Sequence, residues 1–248
     1  MNSAAEKSRK KKTQRIRQAV ILAGGAGRRL TPYTDLLPKP LMPVGERPII
    51  EILVRQLARA GFTDIIVTLG AGAKLIKLFL GDGSQYGCNI RYAVEKTPLG
   101  TAGPLRRITN LDEKFLVLNG DLLTDISFAD FARKHVAAKA PATIAVCRRR
   151  ERSDFGIVLS ENGLITGYKE KPTRSFEVSM GIYAFSKEIV RFIPKKRFDF
   201  PELVSTLLKR GIQPHVYRFK GDWLDIGRRE DWERAAKELK RHPRKYLK

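Results

Sequence analysis

The sequence predicts an α/β fold: a Rossmann-like, mixed but mostly parallel sheet flanked by helices and built as a single domain. Short β-like runs alternate with amphipathic helical segments, the pattern of parallel strands joined by right-handed crossovers. The chain has 248 residues, 42% of them hydrophobic, which is enough for one large domain with a filled core. No apolar run approaches the roughly 18 residues that a membrane-spanning helix requires, so no membrane contact is expected.

The first part of the chain alternates regularly between the two kinds of element. Strands are predicted at residues 18–22, 64–69, 90–94, 114–118 and 143–146, and helices at 48–60, 74–80, 102–108 and 127–138. A loop rich in glycine and proline, residues 23–46, separates the first strand from the first helix. Gly61 is expected to end that helix, and Ser127 is the expected N-cap of the last.

The second part changes character, although no linker rich in Pro, Gly or Ser precedes it. A hairpin is predicted from residues 156–160 and 164–170, because Asn162-Gly163 suits a tight two-residue turn. Further strands are expected at 177–185 and 215–219, and helices at 200–210 and 229–239. We therefore predict one domain over residues 18–248.

The chain is strongly basic, with 48 Lys and Arg against 26 Asp and Glu and a net charge of +22, which attracts polyanions. Residues 1–17 lack apolar periodicity and are predicted to be a disordered basic tail. Nucleic-acid binding is not favoured, since no aromatic interleaving or helix-turn-helix pattern accompanies the charge, but the tail leaves it open. Cys88 and Cys147 lack CxxC spacing, so two thiols in a cytoplasmic protein are expected, rather than a disulfide framework or zinc site.

The segment from Gly24 to Pro32, continued by Pro38-Lys39-Pro40-Leu41, carries the clearest chemical signal. A glycine-rich turn directly after a strand lets backbone N–H groups approach phosphate oxygens. Arg29 offers a planar guanidinium to phosphates, and Lys39 offers a point charge. The segment matches neither the P-loop nor the GxGxxG pattern, and a glycine cluster alone is also compatible with a simple turn.

Asp121 and Asp225 each follow an apolar run, where an α/β sheet presents side chains to a ligand. Two carboxylates that meet at a triphosphate would hold Mg²⁺, a hard cation that prefers oxygen ligands. The residues alone also allow Asp121 to cap a turn and Asp225 to pair with a surface arginine.

These segments together resemble the sugar-1-phosphate nucleotidyltransferase family. Residues 24–44 follow its signature GGxGxRLxPxTxxxPKPLxPV. Further matches, in the family's order, are Leu99-Gly100-Thr101-Ala102-Gly103, Asn119-Gly120-Asp121, Phe155-Gly156, Glu170-Lys171-Pro172, Gly181-Ile182-Tyr183 and Trp223-Leu224-Asp225-Ile226-Gly227. The resemblance implies an enzyme that joins a nucleoside triphosphate to a sugar 1-phosphate and releases pyrophosphate. It also implies a nucleotide-binding half at about 18–150 and a sugar-binding half at about 151–240.

The resemblance assigns roles to individual residues. Arg29 and Lys39 are expected to be catalytic, and Asp121 and Asp225 are expected to be the Mg²⁺ ligands. Nucleotide-binding residues are expected at Leu22, Ala23, Gly24, Gly25, Gly27, Arg29, Gly100, Thr101 and Asp121. Residues that bind the second substrate are expected at Asn119, Gly156, Glu170, Lys171, Ser179 and Trp223.

The segment Leu99 to Gly103 is most similar to mannose-1-phosphate guanylyltransferases, which predicts GTP with a mannose- or heptose-like phosphate. Uridylyl, thymidylyl or cytidylyl transfer to glucose 1-phosphate or another phosphate is the alternative, followed by a non-catalytic basic regulatory or RNA-binding protein. Ser179-Met180 stands where the family often has Asn-Ala, so the sugar is not fixed. A homodimer is left open.

Overall fold

A computed structural model describes residues 15–25, 27–70 and 72–247. The predicted disordered tail therefore lies outside the described residues, except for residues 15–17, and so does Ala26 of the glycine-rich segment. The described helices include none that is both long enough and apolar enough to cross a membrane.

The described residues form thirteen strands and seven α-helices. The strands are β1 (Gln18–Ala23), β2 (Pro43–Val44), β3 (Arg47–Pro48), β4 (Asp64–Leu69), β5 (Asn89–Val94), β6 (Lys114–Asn119), β7 (Leu122–Thr124), β8 (Ala142–Arg152), β9 (Ile157–Glu161), β10 (Leu164–Lys169), β11 (Thr173–Ser186), β12 (His215–Phe219) and β13 (Trp223–Asp225). The helices are α1 (Tyr33–Leu36), α2 (Ile49–Arg59), α3 (Ala73–Leu80), α4 (Phe128–Ala138), α5 (Phe200–Lys209), α6 (Arg229–Arg241) and α7 (Pro243–Leu247).

Seven strands form the central sheet in the spatial order β12-β8-β11-β6-β1-β4-β5. Neighbouring strands run parallel, except that β11 is antiparallel to both β6 and β8. The predicted mixed, mostly parallel sheet is therefore confirmed. Because β11 comes from the second part of the chain and lies between strands of the first, both parts share one sheet and form a single domain.

Both faces of the sheet are buried, as expected for parallel strands. Alternate residues of β1 contribute to opposite hydrophobic clusters: Ala19 and Ile21 to one, and Val20 to the other. Helix α2 packs Leu53 and its neighbours into the first cluster, whereas α5 packs into the second. The strand ends thus face solvent between two layers of helices.

Three predicted elements differ from the structure. The segment predicted as a helix at 102–108 is a 3-10 turn, Gly103–Arg107, which has Pro104 in its first turn. Strands β8 and β11 extend well beyond the prediction, because their outer residues, such as Arg150 and Ser175, are polar and exposed and lack an apolar pattern. The predicted N-cap is present, since Ser127 Oγ accepts a hydrogen bond from the Asp130 N–H at 3.2 Å.

The outer ends of β8 and β11 and the hairpin β9–β10 make up an extension that we call the arm, residues 148–176. Its hairpin turn is the predicted one, with positive φ angles at Asn162 (51°) and Gly163 (81°), as a type I′ turn requires. The Ser153 N–H donates to the Pro172 carbonyl oxygen at 3.0 Å and closes the base of the hairpin. Large apolar side chains of the arm, including Phe155, are exposed.

Candidate active site

A cavity of about 410 Å³ lies at the carboxyl ends of β1, β4, β5 and β6, and we call it the principal cavity. All nine residues predicted to bind the nucleotide line it: Leu22, Ala23, Gly24, Gly25, Gly27, Arg29, Gly100, Thr101 and Asp121. Lys39 and Asn119 line it as well. The structure thus brings these residues to one place, and their binding roles stay predictions.

The glycine-rich segment is shaped by close contacts on both sides. A methyl group on Gly24 would lie 2.8 Å from Oε1 of Glu95, so only glycine fits there without displacing that carboxylate. Gly27 has a φ angle of 64° and accepts a hydrogen bond from Thr34 Oγ1 at 3.1 Å through its carbonyl oxygen. The segment therefore folds back onto the residues that carry Lys39.

Lys39 and Asp121 form an ion pair in which Nζ contacts Oδ2. Their side chains are only 11% and 22% exposed, so the pair is largely shielded from water. The other carboxylate oxygen of Asp121, Oδ1, is buried and has no hydrogen-bond partner among the described residues. A buried oxygen without a partner is costly, which indicates that the site is built to receive a further donor or cation.

The short ribbon formed by β7 and β13 places Asp225 beside Asp121. Asp225 is opposite Leu122 in the ribbon, and the Ile226 N–H donates to the Asp121 carbonyl oxygen at 3.0 Å. Partial burial of the carboxyl raises the pKa of Asp225, and the negative charge of Asp121 raises it further. The two carboxylates therefore repel each other.

This pair of carboxylates fits a divalent cation that prefers oxygen. Mg²⁺ is commonly held by one or two carboxylates together with water and substrate phosphates. The buried, partnerless Oδ1 of Asp121 would be one ligand and the neighbouring Asp225 another. Within the residues that the structure describes, no group of three or more His, Cys, Asp or Glu side chains is arranged to hold a metal.

Arg29 lies at the same edge and next to the end of β13. A methyl group on Gly227 would lie 3.3 Å from the guanidinium of Arg29. The positive charges of Lys39 and Arg29 both act on Asp225 and oppose the rise of its pKa. The predicted catalytic cations and the predicted metal ligands therefore form one cluster.

The loop with Gly100 and Thr101 forms another wall of the principal cavity and is hydrogen-bonded to the start of α5. The Thr101 N–H donates to Asp199 Oδ1 at 2.7 Å, and the Phe200 N–H donates to Thr101 Oγ1 at 2.9 Å. Gly100 has a φ angle of 79°, which favours glycine. Asp199 and Arg197 also line the cavity, but they are about 100 residues away in sequence and no motif indicated them.

Glu95 is a further lining residue that the sequence reasoning missed. Its Oε2 accepts a hydrogen bond from the Leu99 N–H at 3.0 Å, and burial raises its pKa. Glu95 directly follows β5, at the same edge as Asp121, so the rule that ligands bind at the carboxyl ends of parallel strands could have identified it.

Three residues predicted to bind the second substrate lie on the arm and outside the principal cavity. Gly156 packs against Tyr168, whose hydroxyl would overlap a methyl group at that position. The same hydroxyl donates to Glu170 Oε2 at 3.0 Å. Lys171 has a φ angle of 41°, which is uncommon for a residue with a side chain and is often found at functional sites.

Of the other predicted sugar contacts, Ser179 lies at a bulge in β11, Asn119 ends β6 and Trp223 begins β13. Ser179 Oγ donates to the Tyr183 hydroxyl at 3.1 Å. Gly181 has a φ angle of 69°, and a methyl group on it would lie 2.8 Å from Cγ of Asn119. The structure does not bring Trp223 into the principal cavity: its indole N–H donates to the Met180 carbonyl oxygen at 2.9 Å, and its sugar contact stays a prediction.

Comparison with known proteins gives a consistent picture. The profile of the family described as nucleotidyl transferase matches residues 18–242. A mannose-1-phosphate guanyltransferase of Schizosaccharomyces pombe is 34% identical over 225 residues, which cover 87% of this chain and 62% of the relative. A UTP–glucose-1-phosphate uridylyltransferase of Synechocystis is 32% identical over 246 residues, 89% of this chain and 62% of the relative.

Among solved structures, HddC from Yersinia pseudotuberculosis superposes with a TM-score of 0.71 at 25% sequence identity. The match covers 90% of this chain and all of that one. The chain spans about 62% of the length of the curated relatives it matches.

Proposed function

The chain belongs to the nucleotidyl transferase family, as its motifs predicted, and we propose that it transfers a nucleotidyl group from a nucleoside triphosphate to a sugar 1-phosphate. The products are a nucleoside diphosphate sugar and pyrophosphate. The observation that carries the proposal is the cluster of Asp121, Asp225, Lys39 and Arg29 beside the glycine-rich turn. It combines a buried, partnerless carboxylate oxygen with two cations at the ligand-binding edge of the sheet.

In the reaction, a phosphate oxygen of the sugar 1-phosphate forms a bond to the α-phosphorus of the triphosphate. The bond from that phosphorus to the bridging oxygen of the leaving pyrophosphate breaks. Both reactants are anions, so the protein contributes mainly positioning and positive charge. Arg29 and Lys39 would orient the triphosphate and offset charge that develops on its oxygens. Asp121 and Asp225 would hold a divalent cation, Mg²⁺, which supplies further charge neutralisation when bound.

For the base, we infer a preference for guanine. Glu95 presents Oε1 beside the glycine-rich turn while Oε2 is engaged by Leu99. Guanine carries a ring N–H and an amino group on one edge, and both can donate to a carboxylate. Uracil and thymine carry a single N–H between two carbonyl oxygens, which a carboxylate would repel.

For the second substrate, we propose a mannose- or heptose-like 1-phosphate. Lys171 would hold its phosphate, and Glu170, Asn119 and Ser179 would form hydrogen bonds with its hydroxyls. The similarity to mannose-1-phosphate guanyltransferases supports this choice. The similarity to a UTP–glucose-1-phosphate uridylyltransferase supports a second candidate, uridylyl transfer to glucose 1-phosphate.

A substrate panel tests both proposals. Purified protein with Mg²⁺ is incubated with each common nucleoside triphosphate and a set of sugar 1-phosphates, and pyrophosphate release is measured. We expect the fastest release with GTP and mannose 1-phosphate. Preference for UTP or dTTP would overturn the guanylyl assignment, and no release with any pair would overturn the transferase itself.

Two variants examine the named residues. Asp225→Asn is expected to lower turnover at least about 10²-fold, whereas Asp231→Asn, which removes a nearby carboxylate outside the proposed metal pair, should not. Glu95→Gln is expected to reduce the preference for GTP over UTP. A wild-type rate for Asp225→Asn would show that this carboxylate holds no essential cation.

A further inference from the structure

A second cavity, of about 270 Å³, lies between the outer end of β8, β13 and α6. We call it the arginine cavity, because Arg148, Arg149 and Arg234 line it together with the indole of Trp223. The remaining lining residues are Cys147, Gly221, Asp222, Leu224, Glu238 and Tyr246. None of these residues lines the principal cavity.

The side chains that line the arginine cavity carry more positive than negative charge, three arginines against Asp222 and Glu238. Among the ion pairs of the described residues, none involves Arg148, Arg149 or Arg234. Of the two acidic lining residues, Asp222 accepts hydrogen bonds from Lys245 Nζ at 2.5 Å and from the Tyr246 hydroxyl at 2.9 Å.

The other acidic residue, Glu238, lies 3.7 Å from the guanidinium of Arg241 on its own helix. Both carboxylates therefore already have a cationic partner outside the arginine trio. Three guanidinium groups at one cavity repel each other unless an anion lies between them. The cavity thus has the charge that an anionic ligand requires.

Arg149 is oriented by its neighbours. Its guanidinium carbon lies 5.1 Å from the centre of the Trp223 ring, within the range of a cation–π contact. This stacking engages the face of the guanidinium. One edge contacts the Cys147 thiol, and the five N–H donors of an arginine leave others for a ligand. Planar guanidinium groups with available donors bind phosphate in a two-point arrangement.

We propose that the arginine cavity is a second anion site that binds a phosphate group, either free or carried by a phosphate ester. Phosphate matches the donors of two or more guanidinium groups and the charge of the trio. The ligand is bound outside the principal cavity, so it is distinct from the two proposed substrates in their reacting positions.

The site is connected to the candidate active site through Trp223. This residue begins β13, which ends at Asp225, the proposed cation ligand. Its indole N–H also donates to Met180, the residue before Gly181, which packs against Asn119. A ligand that shifts the indole would therefore act on both the proposed metal ligand and a proposed sugar contact.

Tryptophan fluorescence provides a test that needs no turnover. The sequence contains two tryptophans, so Trp232→Phe leaves Trp223 as the sole reporter. Titration of this variant with inorganic phosphate at constant ionic strength is expected to give a saturable change in emission. Adding Arg149→Gln or Arg234→Gln should weaken the apparent affinity about tenfold or more. Arg150→Gln is the matched control, an exposed arginine on the same strand outside the cavity.

Further titrations distinguish between possible phosphate ligands and between binding to the two cavities. Pyrophosphate, GTP and mannose 1-phosphate are titrated in the same way, and a response that Arg149→Gln weakens is assigned to the arginine cavity. The tightest ligand of that kind identifies the natural class. Lys39→Met in the same background should leave the phosphate response unchanged, because Lys39 lies in the principal cavity. No saturable change with phosphate, or equal weakening by Arg150→Gln, would overturn the site. Neither result depends on whether the protein catalyses nucleotidyl transfer.

Discussion

Replacing Lys39 by methionine tests the electrostatic design of the candidate active site. The substitution keeps an unbranched side chain of nearly the same length but removes the ammonium group that pairs with Asp121. Asp121 would then be left with two unpaired oxygens, because Oδ1 already has no partner among the described residues. Breaking a buried ion pair from one side typically costs about 3–5 kcal/mol. With side chains 11% and 22% exposed, we expect a value near the lower end, about 3 kcal/mol.

For a domain of this size, each kcal/mol lowers Tm by roughly 2–4 °C, so Lys39→Met should melt roughly 6–12 °C below the wild type. The double variant Lys39→Met/Asp121→Asn removes the orphaned charge as well and should recover at least about half of that loss. Both variants are expected to lose about 10²–10³ in rate. Because only the double variant recovers stability, the loss of catalysis can be told apart from the loss of stability. Lys39→Arg retains the charge and is the matched control.

The measurement is thermal unfolding followed by circular dichroism in metal-free buffer, paired with pyrophosphate release. A double variant that melts no higher than Lys39→Met alone would refute the reasoning, since it would show that the unpaired Asp121 charge is not the source of the instability.

Three other predictions concern separate parts of the molecule. Burial lowers the pKa of His135 to about 4, so as the pH falls the unfolded chain takes up a proton before the folded chain does. The free energy of unfolding should therefore drop by up to roughly 3 kcal/mol between pH 6.5 and 4. His135→Gln should flatten this pH dependence, measured by urea titration. Tyr168→Phe removes the hydrogen bond to Glu170 and should raise the KM for sugar phosphate about 3–10-fold without changing the KM for nucleotide. An equal rise in both KM values would contradict the role of Tyr168 in positioning Glu170. Gly181→Ala should lower both stability and sugar affinity more than Gly163→Ala, which shares a positive φ angle but has open space around it; similar losses would remove the steric argument.

The strands in the first part of the chain could be predicted from the sequence because strands buried on both faces consist of continuous runs of apolar residues. β1, β4 and β6 are buried on both faces, and every residue from Ile65 to Leu69 is apolar or a buried threonine. The position of β11 between β6 and β8 could not be predicted, since strand order depends on long-range pairing that no local pattern specifies. The outer part of β8 was missed because its arginines are exposed.

The candidate site was predictable where residues follow strands or lie within a motif. Asp121 and Gly24 both satisfy that condition, and the structure places them in one cavity. Arg197 and Asp199 do not, because they reach the cavity only through the docking of the Gly100 loop on α5. Trp223 lies on β13, a three-residue strand that was not predicted, and its ring lines the arginine cavity; the direction of a side chain on so short a strand cannot be read from the sequence.

The hairpin of the arm lies outside both hydrophobic clusters, so its sequence can change independently of the interior. Neither hydrophobic cluster includes a residue between 148 and 179, and the hairpin joins the rest of the chain through the contact between Ser153 and Pro172. Residues 154–171 can therefore be exchanged or lengthened without repacking the interior. Such a change would alter Glu170 and Lys171 but leave Asn119 and Ser179 in place, so a chimera built at the same two junctions would separate the contribution of this segment to sugar binding from that of the central sheet.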